Sequence, residues 1–215
     1  GTGNSGILFQ NIQRSLKQLG MIVHSKQLSE KFFTEFHMKS ETIYDRIFAN
    51  SLPYLKNKRS ILTISNSKTV FEILRRLRTE NCKLLTVSES RPKLEGRILA
   101  KKLNKEKISV ELITEAMSAS YVKKCDCVII GADTVLRNRS VVNKVGSFQL
   151  ALLCSYFQKP FYVITEKSKF SLKNEFKQIG ESTEEIWKDA PKGVAIKNIY
   201  FEKIPASLIS KIITD

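Results

Sequence analysis

Five short apolar runs recur along this chain, each followed by a stretch of helical periodicity, and that alternation most restricts the fold. The runs are Ile61–Ile64, Leu84–Val87, Ile108–Ile113, Cys127–Ile130 and Phe161–Thr165. Between them lie patterns with apolar residues three and four apart, as in Val70, Ile73, Leu74 and Leu77. Strands that are apolar throughout are buried on both faces, and helices spaced this way serve as crossovers between parallel neighbours. The expected class is α/β: a doubly wound, mainly parallel, Rossmann-like sheet over 57–215, preceded by a short helical segment over 7–56.

Right-handed crossovers place every strand's carboxyl end on one rim. That rim collects Ser65, Asn66, Glu89, Arg91, Thr114, Asp133, Asn143 and Lys144. The stretch from Cys127 to Phe170 is the most informative. A strand ends at Gly131-Ala132-Asp133, a polar loop follows, and Asn143-Lys144-Val145-Gly146-Ser147 leads into a helical pattern ending near Pro160. A carboxylate at a strand end beside a Lys-Gly-Ser approach to a helix amino end suits an anion, and so a phosphorylated small molecule. The same residues also suit structural work: Asp133 as a cap of a helix or turn, Arg91 and Lys144 as ion-pair partners. Gly96, inside a helical pattern from Leu94 to Asn104, implies close approach of another backbone or a ligand.

Before the strands, Leu16, Leu19, Ile22, Val23, Phe32, Phe33, Phe36, Ile43, Ile47 and Phe48 predict two or three helices. Breaks are expected near Gly20 and Ser40, with Ser40-Glu41-Thr42 as a cap and an end at Pro53. Residues 1–6 read as a cloning remnant. After Phe170, residues 171–193 read as a polar excursion, Tyr200–Ile204 as an edge strand, and Ser207–Ile213 as a short helix or extended segment.

The 215 residues suit one sizeable domain, and an apolar fraction of 42% is enough for a core. No run approaches membrane-spanning length, so no membrane is expected as a partner, and the setting is expected to be cytoplasmic. Cys82, Cys125, Cys127 and Cys154 sit on or beside apolar patterns, as free thiols do in a reducing compartment. Cys125 and Cys127 lack a second close pair, and His24 and His37 are distant, so no metal is expected. No cofactor is expected. Lys and Arg number 36 against 21 Asp and Glu, a net charge of +15. The excess favours RNA, DNA, anionic lipid or an acidic protein as partner, or supplies Lys-rich solvated helix faces.

The rim segments carry a family resemblance. Ser88-Glu89-Ser90-Arg91-Pro92 with Gly96, Gly131-Ala132-Asp133, Asn143-Lys144-Val145-Gly146-Ser147, Phe161-Tyr162-Val163 with Lys169-Phe170, and Phe201 to Asp215 occur in order. Together they resemble the superfamily of translation initiation factor 2B alpha, beta and delta subunits, shared with methylthioribose-1-phosphate and ribose-1,5-bisphosphate isomerases. In the isomerases the resemblance implies a cysteine and an aspartate that move a proton between adjacent sugar carbons. The aspartate maps onto Asp133. Ser65, in Thr63-Ile64-Ser65-Asn66, occupies the cysteine's place in a Thr-His-Cys-Asn turn. A thiol ionises near about pH 8.5 and an alcohol far higher, and Ile64 stands where the family has a histidine. The isomerases' amino-terminal Arg-Gly-Ala phosphate motif is absent, and Arg139 replaces a common glycine.

The resemblance therefore implies a non-catalytic regulatory homologue with a retained rim pocket for a sugar phosphate or nucleotide, contacted by Asn66, Arg91, Asp133, Asn143 and Lys144. A homodimer or higher oligomer, related 2B subunits and initiation factor 2 are the implied partners. The alternative is a live aldose-ketose isomerase using Asp133.

Overall fold

The computed structural model describes residues 26–77, 82 and 84–215. Two compact units divide the chain, Gly1–Thr42 and Ile43–Asp215. The expected break near Gly20, the 1–6 segment and His24 lie outside the described residues, as does the His37 side chain.

Helix α1 (Lys26–Leu55) runs unbroken for 30 residues. The expected break at Ser40 is absent. Thr42 lies within the helix, where its Oγ1 donates to the Met38 carbonyl at 2.9 Å, a bond to the residue four back that a hydroxyl makes without leaving the helix. Pro53 falls in the last turn rather than beyond it.

The second unit alternates as expected: β1 (Ser60–Ile64), α2 (Lys68–Leu77), β2 (Leu84–Ser88), α3 (Glu95–Lys105), β3 (Val110–Ile113), α4 (Ser118–Lys124) and β4 (Cys127–Ile130). Then come β5 (Thr134–Val135), β6 (Val141–Lys144), α5 (Ser147–Tyr156), β7 (Phe161–Ile164), β8 (Phe201–Ile204) and β9 (Lys211–Ile213). Six strands form one parallel sheet in the order β3-β2-β1-β4-β7-β9. Sequence order runs outward in both directions from the β1/β4 pair, so the switch point lies between their carboxyl ends. The expected short helix or extended segment over Ser207–Ile213 is both: a single 3-10 turn over Ala206–Leu208, then β9, an edge strand of this sheet.

Alternate side chains of each central strand enter two cores, as a strand's two-residue period requires. Ile61, Cys127, Ile129, Tyr162 and Ile164 pack with α1, α2 and α3, including Ile47, Ile73 and Leu99. Leu62, Ile64, Val128, Ile130 and Val163 pack on the other face with Val122, Leu150 and Ala151 of α4 and α5. This is the doubly wound arrangement.

One departure matters for the site. The expected polar loop after Asp133 forms two strands, β5 and β6, which β8 joins in an antiparallel sheet of order β5-β6-β8. Asn143 and Lys144 therefore end a strand, paired with Glu202 and Phe201 of β8, rather than opening a helix. Both are buried. Their polarity hid the strand, because β6 lacks the apolar run that marks the others.

Candidate functional site

At the switch point the carboxyl ends of β1, β4 and β7 surround a cavity of about 380 Å³. Ser65, Asn66 and Ser67 line it from the turn after β1, and Gly131, Ala132 and Asp133 from the turn after β4. Asn143 and Lys144 of β6, Glu95 of α3, Glu166 and Lys169 after β7, Phe201 of β8, Tyr44 of α1 and the Ile64–Thr69 approach to α2 complete the wall. Of the residues expected from the sequence, Ser65, Asn66, Asp133, Asn143 and Lys144 converge here. Arg91 does not: it is solvent-exposed, on the turn before α3, and lines no part of the cavity.

The turn after β1 is held from below. Ser65 adopts φ 68°, and its N–H donates to Ser90 Oγ at 2.7 Å. Ser90 Oγ in turn donates to the Ser88 carbonyl at 3.0 Å, and the Ser90 N–H donates to Glu115 Oε1 at 2.5 Å. Ser88 Oγ donates to the same Glu115 oxygen at 2.8 Å. Asn66 Oδ1 accepts from Lys102 Nζ at 3.0 Å. Gly131 is required by contact, since a Cβ there would lie 2.5 Å from Ser67 Oγ.

The polar groups of β6 are committed to protein partners. Asn143 Nδ2 donates to Ser147 Oγ at 2.8 Å. Lys144 Nζ lies 2.9 Å from Glu95 Oε1 and 4.8 Å from the Tyr200 ring centroid. A cation so fully buried needs such company to offset its lost hydration. Glu95 Oε2 is buried and has no hydrogen-bond partner among the described residues.

The amino end of α5, expected to receive an anion, already holds one. Glu202 Oε1 accepts the Gly146 N–H at 2.7 Å and the Phe148 N–H at 2.8 Å. A carboxylate from β8 thus occupies the place a ligand phosphate would take.

Asp133 stands at the cavity mouth, open to water on one side. Partial loss of hydration against the cavity walls pushes its carboxyl above the usual range; Lys169 and Lys144 oppose the shift, and Glu95 adds to it. Glu166 was not anticipated from the sequence. It accepts weakly from Tyr44 OH at 3.3 Å and Thr69 Oγ1 at 3.4 Å. Its position just past β7 was the available signal, since every strand's carboxyl end faces this rim. Tyr44 reaches the wall from α1 and left no such signal.

Three ammonium groups (Lys68, Lys144, Lys169) and three carboxylates (Glu95, Asp133, Glu166) line the cavity. It is therefore charge-balanced, suited to a ligand that mixes hydroxyls with one anionic group more than to a multiply charged one. No cysteine or histidine is among its described lining residues. No group of histidine, cysteine and acidic residues among the described residues could hold a metal ion.

Comparison with known proteins places this geometry. Over 205 residues the chain is 32% identical to a translation initiation factor eIF-2B subunit 2-like protein of Pyrococcus furiosus, covering 94% of this chain and 73% of that one. Over 217 residues it is 30% identical to the ribose 1,5-bisphosphate isomerase of Archaeoglobus fulgidus, covering 97% and 69%. The crystal structure of the Pyrococcus horikoshii translation initiation factor eIF-2B superposes with a TM-score of 0.71 at 29% identity, covering 84% of this chain. This chain spans 65% of that structure's length, just under two thirds. The family model described as "Initiation factor 2 subunit family" matches residues 4–215, nearly end to end, and the chain belongs to that family.

Proposed function

We propose that this chain is a non-catalytic, initiation factor 2B-like regulatory member of its family. It holds a phosphorylated sugar or a nucleotide in the rim cavity and couples that occupancy to assembly. The observation that carries the reading is the alcohol of Ser65 at the turn where the resemblance implies a thiol. Cys125, Cys127 and Cys154 are buried elsewhere, with burial raising the Cys125 thiol to about 11, and Cys82 lies at the entry of β1 and β2 on the opposite rim, so none substitutes. Lys144 paired with Glu95, and the α5 amino end filled by Glu202, leave few free positive groups for a bisphosphate. In this reading the chain forms a homodimer or higher oligomer, works with related 2B subunits and initiation factor 2, and resides in the cytoplasm. Among the described residues no helix is long and apolar enough to cross a membrane.

One observation favours a second reading, an aldose-ketose isomerase. The carboxyl of Asp133, raised by its surroundings, is suited to acid-base exchange nearer neutrality than an ordinary aspartate. Incubation with ribose 1,5-bisphosphate and with methylthioribose 1-phosphate separates the two. The regulatory reading expects sugar phosphates or nucleotides to raise Tm without ketose formation. Turnover abolished by Asp133→Asn overturns it in favour of the isomerase.

A further inference from the structure

The rim opposite the cavity carries a row of basic residues. All six strands of the main sheet are parallel, so the segments entering them lie along one edge. Those segments carry Lys58 and Arg59 before β1, Lys107 before β3, Lys123 and Lys124 before β4, and Lys159 before β7. None of these six forms an ion pair among the described residues, while on the cavity side Lys93, Arg97 and Lys144 pair with Glu185, Glu89 and Glu95 and Lys68 and Lys169 do not pair. Two acids share this edge: Glu106 beside Lys107, and Asp126, which accepts the Arg59 N–H at 2.7 Å and the Ser60 N–H at 3.0 Å and feels the charges of Lys58 and Lys159 without pairing with either. From the entry of β3 to the entry of β7, four strand spacings, the row spans about 19 Å.

A groove of about 520 Å³ opens at one end of this row, at the entry to β7 and β9. Lys159, Tyr54, Tyr162 and Gln158 line it. The two tyrosine rings lie 5.6 Å apart at 58°, and Lys211 Nζ sits 5.9 Å from the Tyr54 centroid. We propose that this rim binds single-stranded nucleic acid, with the unpaired lysines tracking the phosphates and the tyrosine groove receiving a base. Unpaired cations in a row beside aromatic rings are the means by which proteins hold a single strand without reading its sequence. An acidic protein would use the cations and leave the rings idle. A membrane surface would want a broad exposed apolar face, whereas the apolar groups here, Pro160, Leu208 and Ile209, line a groove among tyrosines and serines.

The test is fluorescence anisotropy of the whole chain with a labelled oligouridylate, and with its DNA counterpart, of about twelve nucleotides. If about four phosphates are neutralised, affinity falls about 50-fold between 50 and 200 mM salt. Lys58→Gln/Lys123→Gln/Lys124→Gln/Lys159→Gln is expected to weaken binding more than tenfold and flatten the salt dependence. Tyr54→Leu is expected to weaken it about fivefold or more at unchanged salt slope. Lys68→Gln/Lys169→Gln, on the cavity rim, is expected to change it less than twofold. The proposal is overturned by no saturable binding at 50 mM salt, by salt-independent binding, by full affinity in the quadruple variant or in Tyr54→Leu, or by equal loss in the cavity variant. Binding to phosphatidylserine vesicles with none to either oligonucleotide also overturns it, in favour of a lipid surface.

Discussion

The Gly146 N–H donates to Glu202 Oε1 at 2.7 Å, across 56 residues of sequence, so the helix end nearest the cavity is neutralised by the protein itself. The same oxygen accepts the Phe148 N–H. A charge-assisted pair of bonds at a helix amino end is among the stronger polar contacts a fold of this size makes. Replacing Glu202 with Ala strands both donors and is expected to cost about 1.5–3 kcal/mol. A Tm lower by about 4–8 °C in thermal denaturation is the check. The variant also frees a phosphate-sized site, so inorganic phosphate is expected to recover part of the lost Tm in Glu202→Ala and to leave the parent unchanged.

Gly96 makes the tightest backbone approach among the described glycines. A Cβ there would stand 1.8 Å from the Ser88 carbonyl oxygen and 3.0 Å from the Glu89 carbonyl carbon, both main chain and neither able to rotate away. Gly96→Ala is expected to cost more than about 3 kcal/mol by forcing α3 off the end of β2. Gly180→Ala, with nothing within 4 Å of its new methyl group, is expected to leave urea stability unchanged within about 0.5 kcal/mol. Equal effects from the two would mean that contact with β2 does not set the position of α3.

How much of this was legible before the structure depends on where each residue's partner lies. Cys127–Ile130 is buried at every position, and such a strand announces itself as an unbroken apolar run. Ser65 and Asp133 follow strands of that kind, so the topology alone brought them to one rim. Gly96 was readable because glycine within a helix carries a cost that a close neighbour must justify. The β5–β6 hairpin was not readable. Asn143 and Lys144 are buried polar residues whose compensation comes from Ser147 and Glu95, the latter 49 residues away. Glu202 was equally hidden, since nothing local in Phe-Glu-Lys-Ile connects it to a helix start in another element. Arg91 sits on an exposed turn outside the cavity, and the cations that reach its wall are Lys68, Lys144 and Lys169.

Ser90 links the β2 rim to the turn that carries Ser65. Its hydroxyl donates to the Ser88 carbonyl and accepts the Ser65 N–H, and the residue has no exposed surface. Ser90→Ala leaves the Ser65 N–H without its acceptor while Ser65 still holds a positive φ. A loss of about 1–3 kcal/mol is expected by urea denaturation. Because the same turn presents Asn66 and Ser67 to the cavity, ligand-induced stabilisation is expected to fall as well. A variant destabilised in this way but with undiminished ligand response would separate the turn from the binding site.

Asp133 gives the cavity a pH signature whose sign follows from linkage. Partial desolvation raises its carboxyl above the unfolded value of about 3.9, against the opposing charge of Lys169 and Lys144 and with the help of Glu95. Between the unfolded and the folded value the native state binds more protons than the unfolded chain, so this group's contribution to stability falls as pH rises through that window. Above the folded value the ionised carboxylate is a standing cost, kept small by its open face to water. Asp133→Asn is therefore expected to be slightly more stable than the parent at pH 7, with the gain fading as pH falls toward the unfolded value. Urea denaturation at a series of pH values between 4.5 and 7.5 reads the difference. A gain that grows on acidification would mean that the Lys169 and Lys144 charges dominate Asp133, and its suitability for acid-base exchange, on which the isomerase reading leans, would go with it.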